Sequence, residues 1–261
     1  MARKKNFLDI IEKQRVGKKK QKFEGTFLDY LKLVQDNPQS IQLAHRRLYE
    51  ALLSGGSKTL DVDSEDYRGV FNGDKIRTYG YFEEEFFGME PVINKLMRFF
   101  KSAAFKGEES RQVLLLMGPV GAGKSALIES VKRALENTDN YFYLAGCPIR
   151  EEPLHLLPRS LRGEFEEMLG VHIEGDLCPI CRHRLMTEFD GKYENFPVKE
   201  TGFSQRGRRG IAVVPPMDAN SQDVSVLIGT EDISKLDLYP EDDPRVLSLN
   251  GAFNVGNRGI V

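Results

Sequence analysis

The residues with the clearest chemical potential form a glycine-rich loop near the middle of the chain. Eight consecutive positions match the pattern G-x-x-x-x-G-K-[ST], namely Gly118, Pro119, Val120, Gly121, Ala122, Gly123, Lys124 and Ser125. Glycines in such a loop let backbone N–H groups turn toward a phosphate chain, and the following helix adds its positive dipole end. Lys124 is then placed to reach the β- and γ-phosphates, and the Ser125 hydroxyl to bind Mg²⁺. The pattern predicts a site for ATP and Mg²⁺, with Lys124 as its catalytic residue.

Such a loop needs a strand before it and a helix after it, and the sequence indicates both. Residues 112–117 form a short apolar run that is typical of a buried parallel strand. Residues 123–136 carry apolar positions at helical spacing, and residues 141–145 are predicted to form the second strand of the unit. The predicted fold class is therefore α/β, with a parallel P-loop sheet flanked by helices.

A second group of residues with metal-binding chemistry lies further along the chain. Cys178 and Cys181 have the C-x-x-C spacing of half a Zn²⁺ site, and His172 and His183 are near them in the sequence. The alternative is a pair of buried thiols around a Pro-Ile turn. Cys147 is predicted to be a packed residue that follows its strand. Zn²⁺ therefore joins ATP and Mg²⁺ as a candidate ligand, bound by Cys178 and Cys181.

The remaining elements divide the chain into three parts. Residues 1–22 form a basic arm with nine lysines and arginines, and residues 23–80 a helical region that ends in a polar linker. Residues 81–261 form the predicted ATPase core, which begins with a helix running to about residue 105. A proline-punctuated insertion covers about 151–222. It holds one helix with Ser160 as its N-cap, and strand-like stretches are predicted at 211–214 and 224–228.

Composition excludes several classes of protein. The 261 residues carry a formal net charge of −2, which argues against a dedicated nucleic-acid-binding protein despite the basic arm. No apolar run approaches the ~20 residues that span a bilayer, and the basic N-terminus lacks the apolar stretch of a secretory signal. Three cysteines cannot make a disulfide framework, so a reducing cytoplasm is the expected location.

Four segments together resemble the PrkA family, whose members are bacterial proteins known as serine protein kinases. These segments are residues 25–31, 118–125, 178–181 and 250–259. The resemblance covers essentially the whole chain and implies an N-terminal AAA domain that uses ATP to act on protein substrates. It also implies a homo-oligomer in the full-length protein. In AAA+ ATPases, the segment that resembles Phe87-Gly88-Met89-Glu90 packs near the adenine.

The same resemblance predicts where the acidic residues for hydrolysis lie. In related AAA+ proteins, a pair like Arg258-Gly259 leads into the Walker B strand and its carboxylates, which would place them beyond Val261. A competing candidate within the chain is residues 226–232, an apolar stretch followed by Glu231 and Asp232. The first interpretation predicts that these 261 residues bind ATP but hydrolyse it barely above background.

Two functions remain open at this point. The motifs of eukaryote-type protein kinases are absent from the sequence, and Phe189-Asp190-Gly191 is interpreted as a turn rather than as their metal-binding motif. A PrkA-like protein kinase would therefore use an unfamiliar mechanism or rely on the C-terminal part that the resemblance places beyond these residues. The alternative is an AAA+ motor for protein remodelling or ATP-dependent proteolysis. Arg206, Arg208 and Arg209 are predicted to belong to a solvated loop.

Overall fold

The computed structural model describes residues 22–59, 77–215 and 223–261. The predicted basic arm lies outside these residues except for Lys22, as does most of the predicted linker. The helices are α1 (Phe27–Asp36), α2 (Ala44–Leu53), α3 (Gly80–Glu83), α4 (Glu90–Ala104), α5 (Lys124–Glu136), α6 (Arg159–Leu169), α7 (Pro179–Thr187), α8 (Ser225–Ile228) and α9 (Ala252–Val255). The strands are β1 (Glu24–Thr26), β2 (Ser57–Thr59), β3 (Arg77–Tyr79), β4 (Tyr141–Leu144), β5 (Pro197–Thr201), β6 (Thr230–Glu231) and β7 (Leu247–Ser248).

A three-stranded antiparallel sheet connects the start of the chain to the insertion. Its strand order is β1-β5-β4, so β5 pairs with a strand on each side. In this register Val198 of β5 lies opposite both Gly25 of β1 and Leu144 of β4. The strands β2 and β3 form a separate antiparallel pair, and so do β6 and β7. The sheet brings residues from β1, β4 and β5 together although they are far apart in sequence.

Helix α1 begins where the sequence supplies a reciprocal cap. The backbone N–H of Asp29 donates to the Thr26 hydroxyl at 3.3 Å, and the backbone N–H of Thr26 donates to the Asp29 carboxylate at 3.1 Å. This capping box satisfies two of the N–H groups that a helix start leaves open. Phe27, Tyr30 and Val34 then bury one face of the helix. The Gly-Thr-Phe-Leu-Asp segment is thus a strand-to-helix turn with its own cap.

The core consists of two hydrophobic clusters on either side of the antiparallel sheet region. One gathers residues of α1, β4, β5 and the insertion, with Phe27, Leu144 and Val198 fully buried. The other gathers residues of α2, α4 and α5, where α4 buries Ile93, Leu96, Met97 and Phe100 along one stripe. Within the described residues, no helix is long and apolar enough to cross a membrane.

The parallel P-loop sheet that the sequence predicts is not formed by the described residues. Residues 112–117 have no strand partner among them, and the strand pairs around β4 are antiparallel. Val113, Leu115 and Met117 are 93%, 75% and 84% exposed, whereas the alternating Leu114 and Leu116 pack against the second cluster. A parallel strand is defined by its hydrogen-bonded neighbour. The segment before the loop therefore covers the core with one face and leaves the other in solvent. The mixed helix and strand content still fits the predicted α/β class.

Other elements differ from the expectation in smaller ways. Helix α5 and strand β4 occur where they were predicted, within one residue at each end. The predicted strand at 224–228 is wrong, because residues Ser225–Ile228 form the short helix α8, which ends at Gly229 with a φ of 93°. Helix α6 starts one residue before Ser160, with Pro158 at the N-cap position. The predicted strand at 211–214 is reduced to one parallel bridge between Ile211 and Ile260.

A buried ion pair connects the last segment of the chain to α1 and β4. The Arg258 guanidinium contacts the Glu152 carboxylate, and the two side chains are only 10% and 13% exposed. Arg258 also donates to the carbonyl of Phe142 in β4. The Tyr30 hydroxyl donates to Glu152 at 2.6 Å, and burial raises the pKa of Tyr30, so this hydroxyl keeps its proton.

Removing the charge of Arg258 should destabilise the fold strongly. In Arg258→Met, Glu152 loses its cationic partner while remaining buried, which typically costs about 3–5 kcal/mol of the free energy of unfolding. Lys199→Met is the matched control, because Lys199 pairs with Glu24 in an exposed contact worth less than about 1 kcal/mol. Urea unfolding measures both. Equal losses in the two variants would contradict a dominant role for the buried pair.

Candidate functional site

The glycine-rich loop has the backbone conformation that a phosphate-binding turn requires. Gly121 and Gly123 have φ values of 83° and 74°, in the left-handed region that side chains other than glycine rarely adopt. Gly123 is also the N-cap of α5 and gives this helix no side-chain cap. The first N–H groups of α5 are therefore free to bind an anion, and the helix dipole favours one at this end.

Lys124 lies inside the loop that it is predicted to serve. Its ammonium donates to the carbonyl of Gly118 at 2.8 Å and to that of Pro119 at 2.6 Å. Among the described residues it forms no ion pair with a carboxylate. Ser125 is exposed on the first turn of α5. The loop thus carries an ammonium, a hydroxyl and free N–H groups together.

The space around the loop also fits a phosphate chain. A Cβ placed on Gly121 would meet no atom within 4 Å, so the loop is open to solvent on that side. A Cβ placed on Gly118 would meet only atoms of the same loop, the nearest at 3.7 Å. An open loop that carries N–H donors and one ammonium matches the charge and hydrogen-bonding needs of a triphosphate.

A segment just before α4 lies against the loop. The sulfur of Met89 is 3.2 Å from the position that a Cβ on Gly123 would occupy. Gly88 precedes it with a φ of 74°, and Phe87 is 90% exposed. The Phe87-Gly88-Met89-Glu90 segment is thus held beside the glycine-rich turn and leaves an aromatic ring in solvent.

The competing pair of carboxylates, Glu231 and Asp232, lies in and directly after the strand β6. Glu231 belongs to β6, where it lies opposite Leu247 of β7. Asp232 accepts hydrogen bonds from the backbone and hydroxyl of Ser234, and these bonds lower the pKa of its carboxyl group. No hydrogen bond or ion pair within the described ranges joins either residue to the loop.

The arginine cluster forms contacts within the chain. Arg208 donates to the carbonyl of Asn250 at 3.0 Å, and Arg209 donates to the carbonyl of Gly202 at the same distance. Arg206 is exposed. Two of the three side chains therefore hold turns together rather than projecting freely.

The cysteines form a buried cluster that includes two residues not predicted to take part. Cys178 is the N-cap of α7 and accepts a hydrogen bond from the backbone N–H of Cys181 at 3.3 Å. Cys147 follows β4, and its sulfur is 4.0 Å from that of Cys178. Glu151 completes the group, with a carboxylate oxygen 3.4 Å from the Cys147 sulfur. This larger set has no signal in the sequence, because Cys147 and Glu151 belong to a different stretch of chain from Cys178 and Cys181.

Hydrogen bonds polarise the three thiols. Bonds from Cys147 and Cys181 lower the pKa of Cys178, because they stabilise its thiolate. The bond to Cys178 raises the pKa of Cys147, and the bonds to Cys147 and Cys178 raise the pKa of Cys181. The histidines named in the sequence analysis lie outside this cluster, and His172 instead contacts Glu166 at 2.8 Å.

Comparison with known proteins defines the class and then the family. The model of the PrkA AAA domain matches residues 25–261, so the chain is an AAA domain. It belongs to the PrkA AAA-domain family. One relative, named ATP-dependent protease PrkA, from Bacillus subtilis (strain 168), is 37% identical over 263 aligned positions that cover 98% of this chain and 40% of the relative.

Two further relatives carry different names. Serine/threonine kinase YeaG of Escherichia coli (strain K12) is 32% identical over 246 residues, which cover 91% of this chain and 38% of that protein. The mitochondrial Lon protease homolog of Homo sapiens is 31% identical over 75 residues, which cover 29% of this chain and 8% of that protein. The chain thus spans about two fifths of the length of its PrkA and YeaG relatives. No solved structure matches it.

Substituting Gly123 should weaken the fold at the loop. In Gly123→Ala, the left-handed φ costs about 1–2 kcal/mol, and the new methyl group also presses on Met89. Gly163→Ala is the matched control, because Gly163 lies inside α6 with open space around it. That change should instead raise the free energy of unfolding by about 0.5–1 kcal/mol. Urea unfolding measures both, and a neutral Gly123→Ala would contradict the strained turn.

Proposed function

We propose that the chain binds ATP and Mg²⁺ at the loop of residues 118–125 and uses them to act on protein substrates. The observation that carries this proposal is the left-handed glycine turn that leads into an uncapped helix and holds the Lys124 ammonium at its centre. ATP supplies the phosphoryl group of the reaction when it is bound. The chain's residues position and neutralise its phosphates.

Each residue of the loop has a defined role in this proposal. The free N–H groups at the start of α5 bind phosphate oxygens, and the Ser125 hydroxyl holds Mg²⁺. Lys124 must leave the carbonyls of Gly118 and Pro119 to reach the phosphates. The exposed ring of Phe87 and the sulfur of Met89 offer an apolar surface for the adenine beside the loop.

The output of the reaction has two candidates. The first is phosphorylation of a protein serine, supported by the name of the YeaG relative. The second is remodelling or proteolysis of proteins, supported by the name of the PrkA relative and by the segment similar to the Lon homolog. Both candidates fit a cytoplasmic protein that forms homo-oligomers in its full length.

Lys124→Ala should weaken ATP binding by about 10- to 100-fold, because a hydrogen bond to a charged group is worth about 1.5–3 kcal/mol. Ser125→Ala should reduce only the part of the affinity that depends on Mg²⁺. Lys95→Ala is the control, because Lys95 is exposed on α4. Calorimetry with and without Mg²⁺ measures all three. An unchanged affinity in Lys124→Ala would contradict the assignment of the loop.

The 261-residue chain should turn ATP over at well below about 1 s⁻¹, the lower end of the usual range for kinases. The reason is that, in the described ranges, no carboxylate forms a hydrogen bond or ion pair with the loop, from which it could activate a nucleophile. Release of inorganic phosphate and formation of phosphoprotein are measured in parallel, both in the 261-residue chain and in the full-length protein. Glu231→Gln should change neither rate. Steady turnover that Glu231→Gln abolishes would place the activating acid within the chain.

A further inference from the structure

Four buried donor groups converge next to the antiparallel sheet, away from the ATP loop. They come from Cys147, Glu151, Cys178 and Cys181, and their ligand atoms all lie within 4.8 Å of one another. Each of the four residues is at most 6% exposed. The sequence alone indicated only two of them. The structure adds a thiol and a carboxylate from a separate stretch of chain.

The size of the cluster matches a single metal ion. A tetrahedral ion with ligands at about 2.3 Å keeps its donor atoms about 3.8 Å apart. The sulfurs of Cys147 and Cys178 are 4.0 Å apart, and the Glu151 oxygen is 3.4 Å from the Cys147 sulfur. An iron–sulfur cluster would instead distribute its thiolates over several iron atoms. The spacing therefore fits one small ion at the centre of four donors.

The chemistry of the donors selects the ion. Thiolate sulfur is a soft ligand that favours Zn²⁺ over Mg²⁺ or Ca²⁺, and zinc also accepts carboxylate oxygen as a ligand. Four protein donors fill a tetrahedral shell and leave no open position for water or substrate. A closed shell of this kind is typical of structural rather than catalytic zinc.

Neighbouring groups hold the donors in place. The backbone N–H of Cys178 donates to one oxygen of Glu151 at 2.8 Å, which turns the other oxygen toward the sulfurs. Arg184 of α7 donates to the carbonyl of Ala145 at 2.7 Å and fixes the turn that carries Cys147. Hydrogen bonds from residues outside the ligand set, such as these, orient the ligands in known metal sites. The donors are thus preorganised by the backbone and by a side chain outside the cluster.

Within the described residues, no lysine or arginine forms an ion pair with the cluster. Glu151 is 1% exposed, and within the described residues its ionic contact is to His155 Nδ1 at 3.6 Å. That nitrogen has no hydrogen-bond partner there. A buried carboxylate beside three thiols is costly unless a positive charge accompanies it. A divalent ion that binds there contacts the carboxylate and the three sulfurs directly, and the thiols release their protons to water.

We propose that Cys147, Glu151, Cys178 and Cys181 bind one structural Zn²⁺ that fastens α7 to the turn after β4. The ion connects residues 147–151 to residues 178–181. It thereby holds the start of α7 beside the end of strand β4. This site is independent of the ATP proposal, because no residue of the loop at 118–125 takes part.

Metal analysis of the 261-residue chain, purified without chelators, tests the proposal. We expect about one Zn²⁺ per chain, retained in Lys124→Ala. Cys147→Ser and Glu151→Gln should each weaken zinc binding by more than about 10-fold in competition with a chromogenic chelator. His183→Ala is the matched control, because His183 lies on α7 outside the cluster, and it should retain the ion.

A second measurement protects the test against variants that fail to fold. Wild-type protein refolded with Co²⁺ should show the intense d–d bands of a tetrahedral ion and the charge-transfer bands of thiolate ligands. Removal of Zn²⁺ from the wild type should lower the melting temperature, and its return should restore it. Trace zinc together with three freely titrating thiols would overturn the proposal. An intramolecular disulfide, or stoichiometric iron with visible absorption, would also overturn it.

Discussion

The buried contact between Glu152 and Arg258 is the interaction on which the arrangement of this chain depends. It joins residues 106 positions apart and recruits the Tyr30 hydroxyl from a third segment. A charge pair this well covered stabilises little by itself, since both ions must give up water. The pair instead favours one arrangement of the chain. Either charge is costly when it is buried without its partner, and few other packings satisfy Tyr30, Glu152 and Arg258 together.

The carboxylate of Glu151, the residue before Glu152, belongs to a different buried network. Glu152 faces Tyr30 and Arg258, whereas Glu151 faces the three cysteines. Two consecutive acidic residues therefore serve two separate buried networks, one on each side of the same short loop. The first network connects the loop to α1 and to the end of the described chain, and the second to α7. This division explains why an acidic pair is tolerated in the interior.

Much of the local structure was predictable from sequence, because short-range rules govern it. Helix α5 follows from its apolar spacing and its glycine boundary, and strand β4 follows from an aromatic, β-favouring run. The family was also predictable, because its motifs extend over the whole chain, and the PrkA AAA-domain match confirms it. The roles of the residues in the loop at 118–125 stay a prediction.

The remaining errors arise where partners distant in sequence decide the outcome. Residues 112–117 read as a buried strand, but burial and strand pairing depend on neighbours that periodicity does not specify. Residues 224–228 are apolar enough for either a strand or a helix, and a run this short cannot distinguish them. Glu151 was missed because its chemistry becomes visible only when the turn after β4 meets the start of α7.

The hydrogen bonds of Lys124 to its own loop have an energetic consequence for any anionic ligand. The Lys124 ammonium already donates to two backbone carbonyls. The protein can therefore offer this ammonium to an anion only in a conformer in which it no longer donates to Gly118 and Pro119. When the competent conformer is a minority, the apparent dissociation constant rises in inverse proportion to its population. For an anionic ligand, the carbonyl oxygens of the loop and the oxygens of the ligand therefore compete for the same ammonium group.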